Sequence, residues 1–449
     1  MRKQPVVKRR ILVRAVAGIL AIAATPLWAI DLYETWQAAR EHAPELRAAA
    51  AARDAAFESK PLARAALLPN AAFSANVTRT QYDPRNTGPT TYSTNKSYSI
   101  SLSQPLFRRD RWIALKQADS RLKQAEAEYT AAEQKLMIDV ASRYFDVLAA
   151  QDNLTFARAE KKAIERQLEQ AKQRFEVGLS AITDVREAQA RYDLAVSAVI
   201  AAENRLDSAR EALRELAGPR AANDALAPLV SSVPLREPEP KDMKAWVDHA
   251  VEGNLQLQAL RAAVEAARRE VERQRAGHFP TLDAQASFTY QDANFGGVFP
   301  LERNDSSIGL SLTLPIYAGG GIVSATRQAA HRHVEAKEKL EQQRLATERA
   351  VRDAYRGVIS GIAQVRAMEQ ALKSTETALE AAQAGFEVGT RTIVDVLNAQ
   401  REKYRAERDL ARARYDYLLS TLRLKQAVGS LSPKDLEQIS HWMKQGGDA

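Results

Sequence analysis

The chain repeats itself at a fixed distance. A Phe-Glu-Val-Gly segment followed by Ile-x-Asp-Val occurs at residues 175–185 and again 211 residues later, at 386–396. Isolated positions are related by the same offset, for example Tyr144 and Tyr355. A constant period over most of a chain indicates duplication. The 449 residues would otherwise suit two or three ordinary domains, but the repeat predicts one structural unit used twice.

The first 29 residues carry most of the excess positive charge. Six of the 64 Lys and Arg residues lie there without any acid, so 58 bases face 56 acids in the rest. This balance argues against a nucleic-acid partner. The basic start, the apolar run Ala15–Ala24 and the small residue Ala29 predict a secretory signal peptide. A membrane anchor is disfavoured, because the apolar run is short and is followed by Pro26.

Four segments alternate apolar and polar residues with the period of a β-strand. The predicted strands are residues 70–79, 97–105, 281–290 and 307–315. In the second, Tyr98, Ile100 and Leu102 alternate with serines. About ten residues suffice for a tilted strand to cross a membrane. A soluble sandwich would need a second sheet to cover the apolar face, so we expect strands with apolar residues outward and hydroxyl groups inward.

Four strands cannot close a membrane barrel, because the smallest such barrels have about eight. Open sheet edges are not tolerated in lipid. We therefore expect several copies of the chain to share one barrel. Two copies would give eight strands and three would give twelve, and the periodicity does not choose between them.

Long amphipathic helices account for most of the remaining sequence. Apolar residues recur at three- and four-residue spacing from about Asp110 to Phe175, and again from about Ile322 to Phe386. Return helices follow, so helical hairpins are predicted at 110–217 and 320–428. The predicted fold class is an α+β membrane protein made of a duplicated strand-strand-long-helix-helix unit.

The positions of proline residues and of polar segments predict the remaining boundaries of the helices and of the two repeats. A helix is expected over 31–68, restarted at Pro44 and kinked near Pro61. The predicted organisation is a signal peptide at 1–29, a first repeat at 30–217, a proline-rich connector at 218–241, a second repeat at 242–429 and a polar C-terminal tail at 430–449.

Both hairpin tips resemble those of the TolC family, the outer-membrane channel-tunnels of Gram-negative bacteria. The resemblance rests on residues 177–185 and 388–397, and on the duplication, strands and long helices across nearly the whole chain. It implies a homotrimer with a twelve-stranded β-barrel in outer-membrane lipid and a twelve-helix α-barrel in the periplasm. It further implies an exit duct for drugs or secreted proteins, which docks to a periplasmic adaptor and an inner-membrane ABC or proton-driven pump.

The resemblance also assigns site residues by position. Asp395 would form an acidic ring at the periplasmic constriction, with Asn398 where a second acid is expected and Glu187 able to restore that charge. The closed-state latch would consist of Thr183, Asp184, Arg391 and Phe386. The adaptor-docking tips would consist of Val177, Gly178, Leu179, Ser180, Val388, Gly389 and Thr390.

Phe386, Asp184 and Asp395 differ in what the resemblance implies for them. Phe386 stands where the family has a tyrosine, so one latch hydrogen bond is lost. Since such a bond contributes about 0.5–1.5 kcal/mol, an easier-opening channel is expected. For Asp184 and Asp395, the alternative role is simply to stabilise the first turn of a helix.

Other classes of function have less support. The sequence has no nucleophile–base set, phosphate loop or metal-ligand cluster, and His331 and His333 point in different directions on a helix. Cys is absent. We therefore expect no enzyme activity, cofactor or metal. A periplasmic adaptor would show one α-hairpin flanked by soluble β domains, and a purely structural coiled coil would lack the strands.

Overall fold

The computed structural model describes residues 29–84, 88–230, 233–295 and 299–443. Residues 1–28 of the predicted signal peptide, Gly296-Gly297 and residues 444–449 lie outside the described residues. The elements of the first copy are α1 Leu32–His42, α2 Pro44–Phe57, α3 Ser59–Ala65, β1 Asn70–Tyr82, β2 Thr91–Phe107, α4 Arg109–Glu176 and α5 Ile182–Asn223. Those of the second are α6 Met243–Gly253, α7 Leu255–Arg275, β3 Thr281–Phe295, β4 Phe299–Thr313, α8 Gly321–Glu387 and α9 Ile393–Val428, followed by α10 Pro433–Ser440.

The four strands form one antiparallel sheet in the order β1-β2-β3-β4, which leaves β1 and β4 at its edges. Ile100 on β2 pairs with Phe73 on one side and with Phe288 on the other. Paired residues share a face of the sheet, so these apolar side chains lie together. On the opposite face, serine hydroxyl groups meet across the strands, and the Oγ atoms of Ser74 and Ser99 are 2.7 Å apart.

The strands extend further than the side-chain alternation predicts. β2 begins at Thr91 and β4 at Phe299, ahead of the predicted starts at 97 and 307. Tyr82 pairs with Thr91, so the β1–β2 ladder includes much of the stretch between the two predicted strands. Backbone hydrogen bonds hold such a ladder together, and they do not require an apolar face.

The helices form two long hairpins, α4 with α5 and α8 with α9. α4 contains 68 residues, which corresponds to a length of about 100 Å at 1.5 Å per residue. The main apolar core lies midway along the hairpins, where short helices pack on them. Its fully buried large side chains include Leu32, Tyr144, Leu213, Val358, Leu418, Leu422 and Leu436.

The duplication is also visible in individual contacts. The Tyr144 hydroxyl lies 3.0 Å from the carbonyl oxygen of Ile30, and the Tyr355 hydroxyl lies 2.8 Å from that of Lys241. Asp31 caps α1 and Asp242 caps α6. Each pair is related by the 211-residue offset, so both copies attach a capped short helix to a long one in the same way.

The helix restarts at Pro44 as expected, but the second interruption lies three residues before Pro61. The chain breaks at Glu58, between α2 and α3, and Pro61 lies in the first turn of α3. The N–H groups of a first turn have no partner within the helix, so proline is tolerated there. In the connector, α5 continues to Asn223 across a kink at Gly218, whose φ is 84°.

The C-terminal segment is not the polar tail that the sequence suggested. Residues 433–440 form α10, which buries Leu436 and Ile439 in the main core. Asp435 accepts hydrogen bonds from the backbone N–H and the hydroxyl of Ser432, at 2.8 and 3.0 Å. This cap begins the helix and turns its few apolar residues inward.

Candidate functional site

The two hairpin tips share one backbone design. The N–H of Leu179 donates to the carbonyl of Arg174, and the N–H of Thr390 donates to that of Gly385, both at 2.8 Å. Each tip contains a glycine of positive φ, Gly178 in the first and Gly389 in the second. These bonds from the residue after the glycine form the Schellman motif, which satisfies carbonyl groups at a helix end.

The helices that leave the tips begin differently. At α9, the backbone N–H of Asp395 donates to the Thr392 hydroxyl, while the N–H of Thr392 donates to the Asp395 carboxylate at 2.9 Å. These bonds form a capping box. The residue equivalent to Thr392 in the first copy is Ala181, which has no hydroxyl group, and the N–H of Asp184 reaches only the Ala181 carbonyl at 3.1 Å. The start of α9 at the second tip is therefore better stabilised than the start of α5 at the first.

The predicted constriction residues lie in or near these first turns. Hydrogen bonds from the Thr392 backbone N–H and hydroxyl lower the pKa of the Asp395 carboxyl below its usual range. Asn398 lies one turn further along α9. Glu187, the proposed substitute charge, pairs with Arg191 on its own helix at 3.0 Å. Asp395 thus has the helix-stabilising role considered as an alternative, whereas the contribution of Glu187 to the constriction stays a prediction.

The predicted latch residues do not meet each other within one chain. The Arg391 side chain lies across Gly385, where an added Cβ would approach the Arg391 Cγ to 2.6 Å. Among the described residues, no hydrogen bond or ion pair joins Arg391 to Thr183 or Asp184, and its charge acts instead on Asp395, whose pKa it helps to lower. Phe386 packs at the edge of a small apolar cluster whose buried members are Ile164, Ala195, Ile393 and Leu397.

The predicted docking residues expose apolar side chains at both tips. Val177, Leu179 and Val388 are 68%, 73% and 75% exposed. The Ser180 hydroxyl donates weakly to a carbonyl of α4 at 3.4 Å, and the Thr390 hydroxyl donates to that of Gly385 at 3.0 Å. Exposed apolar side chains on a well-defined turn suit a protein contact.

The two hairpins meet along α4 and α9, at some distance from the tips. The rings of Phe145 and Tyr415 stack with centroids 5.6 Å apart, and the Tyr415 hydroxyl donates to Asp152 at 2.7 Å. Burial raises the pKa of the Asp152 carboxyl. Arg412 pairs with Asp146 at 3.1 Å. Polar and aromatic contacts therefore join α4 to α9 beside the apolar core.

At the other end of the hairpins, the apolar face of the sheet is uncovered. Ile308 is 90% exposed and Ile316, just beyond β4, is 95% exposed. Within the described part of the chain, no helix combines the length and apolar composition needed to cross a membrane. The same residues contain no group of acids and histidines placed to hold a metal ion.

A comparison with family models decides the classification. The model described as outer membrane efflux protein matches residues 35–219 and again residues 246–430. The two matches begin and end 211 residues apart, as the repeat does. The chain belongs to the outer membrane efflux protein family. The predicted resemblance and outer-membrane location are thereby confirmed.

Individual relatives of this family agree along almost the whole chain. Outer membrane protein TolC of Vibrio cholerae is 40% identical over 441 residues, covering 97% of this chain and 99% of that protein. Alkaline protease secretion protein AprF of Pseudomonas aeruginosa is 31% identical over 440 residues, covering 96% and 91%. The Campylobacter jejuni CmeC outer membrane channel has the same fold, with a TM-score of 0.78 at 16% identity and coverage of 92% and 90%. The family and the fold are those of channels.

The sequence prediction missed one contact between the tips of this family member. The guanidinium carbon of Arg174 lies 4.7 Å from the ring centroid of Phe386. A signal was available, because alignment of the two copies at 211 residues sets Arg174 against Gly385 and Ser180 against Arg391. That reciprocal exchange marks both tips as places where an arginine is accommodated by a smaller neighbour.

Proposed function

We propose that this chain is the outer-membrane exit duct of a tripartite export system, passing drugs or secreted proteins from an inner-membrane pump to the cell exterior. The observation that carries the proposal is the division of the chain into two unlike ends. One end is a sheet with an uncovered apolar face, suited to lipid, and the other is a pair of exposed apolar tips, suited to a protein. Helices of about 100 Å join them.

In this proposal three copies assemble around one axis. Each copy supplies four strands with free edges at β1 and β4, and four long helices, α4, α5, α8 and α9. Three copies give twelve strands and twelve helices, which closes the sheet edges that lipid does not tolerate. The serine-rich face of the sheet then lines a wet lumen, and the Phe73 face contacts lipid.

The proposed partners, a pump and an adaptor, are inferred from the names of the relatives and from the exposed hairpin tips. The names of the relatives include a protease secretion protein and a pyoverdine export outer membrane protein, both of which act in export. A duct has no energy source of its own, so an inner-membrane ABC or proton-driven pump and a periplasmic adaptor complete the system. Val177, Leu179 and Val388 form the proposed contact with the adaptor. The chain itself carries out no chemistry.

Gating belongs to the same proposal. Asp395 contributes one charge per chain to a ring at the periplasmic constriction, and Asn398 adds none. The Arg391 charge helps to lower the pKa of Asp395, but Arg391 forms no ion pair among the described residues of its own chain. We therefore assign its latch partners, Thr183 and Asp184, to the neighbouring copy. Opening separates the hairpin tips and breaks these contacts.

Photo-crosslinking in living cells tests the docking end. A photoreactive residue at Leu179 or at Thr390 should capture a periplasmic adaptor that co-purifies with an ABC transporter or a proton-driven pump, identified by mass spectrometry. A probe at Val334, which is also exposed but lies far from the tips on α8, is the matched control and should capture neither. Failure to capture an adaptor from either tip, with both probe-bearing proteins present in the outer membrane, would contradict the proposed docking surface.

A further inference from the structure

Arg174 joins the two hairpins close to their tips. It lies in the last turn of α4, and its guanidinium carbon is 4.7 Å from the ring centroid of Phe386, in the last turn of α8. An arginine at this distance from an aromatic face is attracted by the ring quadrupole. Among the described residues, no ion pair or side-chain hydrogen bond involves the Arg174 guanidinium. The ring is therefore the partner that the structure offers to this charge.

The position of Arg174 is possible only in the first copy. At the equivalent position of the second copy, Gly385, an added Cβ would lie 2.6 Å from the Cγ of Arg391. The first copy has Ser180 where the second has Arg391, so the α4 position is free to carry a long side chain. Each tip thus holds one arginine. Arg174 precedes the glycine of the first tip, whereas Arg391 follows the glycine of the second, so the two side chains have different neighbours.

Phe386 is itself held in place by packing. It contacts the cluster formed by Ile164 of α4, Ala195 of α5, and Ile393 and Leu397 of α9. On the other side, Arg174 borders an open hollow of about 410 Å³, lined also by Gln170, Gln173, Val177 and Glu387. The ring is anchored and the guanidinium is half-exposed, so separation of the tips would break this contact without disturbing the rest of the cluster.

We propose that Arg174 is a gate-restraining residue, which holds the second hairpin to the first through the face of Phe386. The contact takes the place of the hydrogen bond that a tyrosine at position 386 would make, so the phenylalanine does not leave the gate unrestrained. This inference rests on the gating role proposed for the tips. Arg174 acts on the position of the hairpins and does not need to touch the cargo.

Single-channel conductance of the purified full chain in planar lipid bilayers tests this role. Arg174→Gln and Phe386→Leu should each raise the ratio of open to closed states by about 2- to 5-fold per copy, the factor expected for an exposed cation–π contact. Arg174→Lys keeps a cation over the ring, so it should stay near the wild type. Phe386→Tyr keeps the aromatic face and adds the latch hydroxyl, so it should open no more readily than the wild type. Lys172→Gln removes a neighbouring exposed charge and should change nothing.

The double variant separates a direct contact from two independent effects. If the arginine and the ring act on each other, Arg174→Gln in a Phe386→Leu background should produce little further opening. The inference is overturned if Arg174→Gln conducts as the wild type does, or if the two substitutions have fully additive effects. A different result would contradict the proposed function: the wild-type chain itself would form no channel in the bilayer. The two failures can therefore be told apart.

Discussion

At the scale of single residues, the two tips differ most in how their outgoing helices begin. Thr392 and Asp395 satisfy each other's backbone groups at the start of α9. Ala181 leaves the start of α5 without a side-chain cap, although the neighbouring sequence is nearly the same. The first tip should therefore open more readily than the second, because unsatisfied N–H groups at a helix start favour fraying.

Adding the missing cap should strengthen the first tip. Ala181→Thr places a hydroxyl where Thr392 stands in the second copy, and should stabilise the start of α5 by about 1 kcal/mol. The measurement is amide hydrogen exchange at the first turn of α5, which should slow about fivefold in the variant.

The reverse substitution is the matched control. Thr392→Ala should speed exchange at the start of α9 by a similar factor, because it removes the hydroxyl that accepts from Asp395 at 3.3 Å. Equal exchange at both tips in the wild-type protein would contradict the asymmetry.

At the scale of secondary-structure elements, the ends of α6 and α9 meet more closely than any side chain allows. Gly429 has a φ of 84°, and a Cβ added to it would lie 2.3 Å from the carbonyl oxygen of Gly253. The equivalent pair in the first copy is Gly218 with His42, whose ring would lie 3.1 Å from an added Cβ. The helix-end contact is therefore duplicated, but it is tighter in the second copy.

Gly429→Ala should be strongly destabilising. The positive φ alone costs about 1–2 kcal/mol in a residue with a Cβ, and overlap with a backbone oxygen adds about 1–3 kcal/mol. Gly389→Ala is the control, because Gly389 has a φ of 78° and open space around it. Thermal unfolding followed by circular dichroism in detergent should show a clearly lower midpoint for the first variant than for the second. Equal midpoints would contradict the close contact.

The contact between α4 and α7 should become weaker as the pH falls. Glu270 accepts hydrogen bonds from Arg273 and Gln274 on its own helix and from Gln117 of α4, and these bonds lower the pKa of Glu270 to about 2. A carboxyl whose pKa is lowered by folding contributes its full stability above the unfolded value, near 4.3, and loses it as the pH falls through the folded value.

The pH dependence can be measured against a variant. The thermal midpoint of the wild type should exceed that of Glu270→Gln at pH 6, and the difference should shrink as the pH falls from about 4.5 towards 2. A difference that is independent of pH would mean that the charge of Glu270 contributes nothing to this contact.

The sequence predicted helices correctly where an apolar pattern repeats many times. It missed elements whose formation depends on a few tertiary contacts. The apolar pattern predicted the end of α9 at Val428, because 36 residues repeat the pattern many times. α10 was missed because eight mostly polar residues carry no such period, and only the main core selects Leu436 and Ile439. The Arg174–Phe386 contact joins positions 212 residues apart, which neither propensity nor periodicity can pair.

At the scale of the whole molecule, one copy of the chain is incomplete. Its sheet has two free edges, its apolar sheet face is uncovered, and its tips expose valine and leucine. Family membership and the outer-membrane location follow from the comparisons, whereas the number of copies and the closed barrel are our proposals. A shared barrel would satisfy the strand edges and give each uncovered face a partner.

Disulfide crosslinking between β1 and β4 tests the shared barrel most directly. The natural chain has no cysteine, so introduced pairs report without background. Ser74→Cys on β1 would be combined in turn with a cysteine at Asp305, Ser307 or Gly309 on β4. Within one chain, β2 and β3 separate these edge strands by about 14 Å, too far for a disulfide.

If three copies share one barrel, at least one pair, oxidised in intact cells, should give linked species of two and three chains and none larger. The single-cysteine variants should remain at the mass of one chain, or at most two. Only single chains for every pair, or a ladder that ends at two chains or continues beyond three, would contradict the trimeric exit duct.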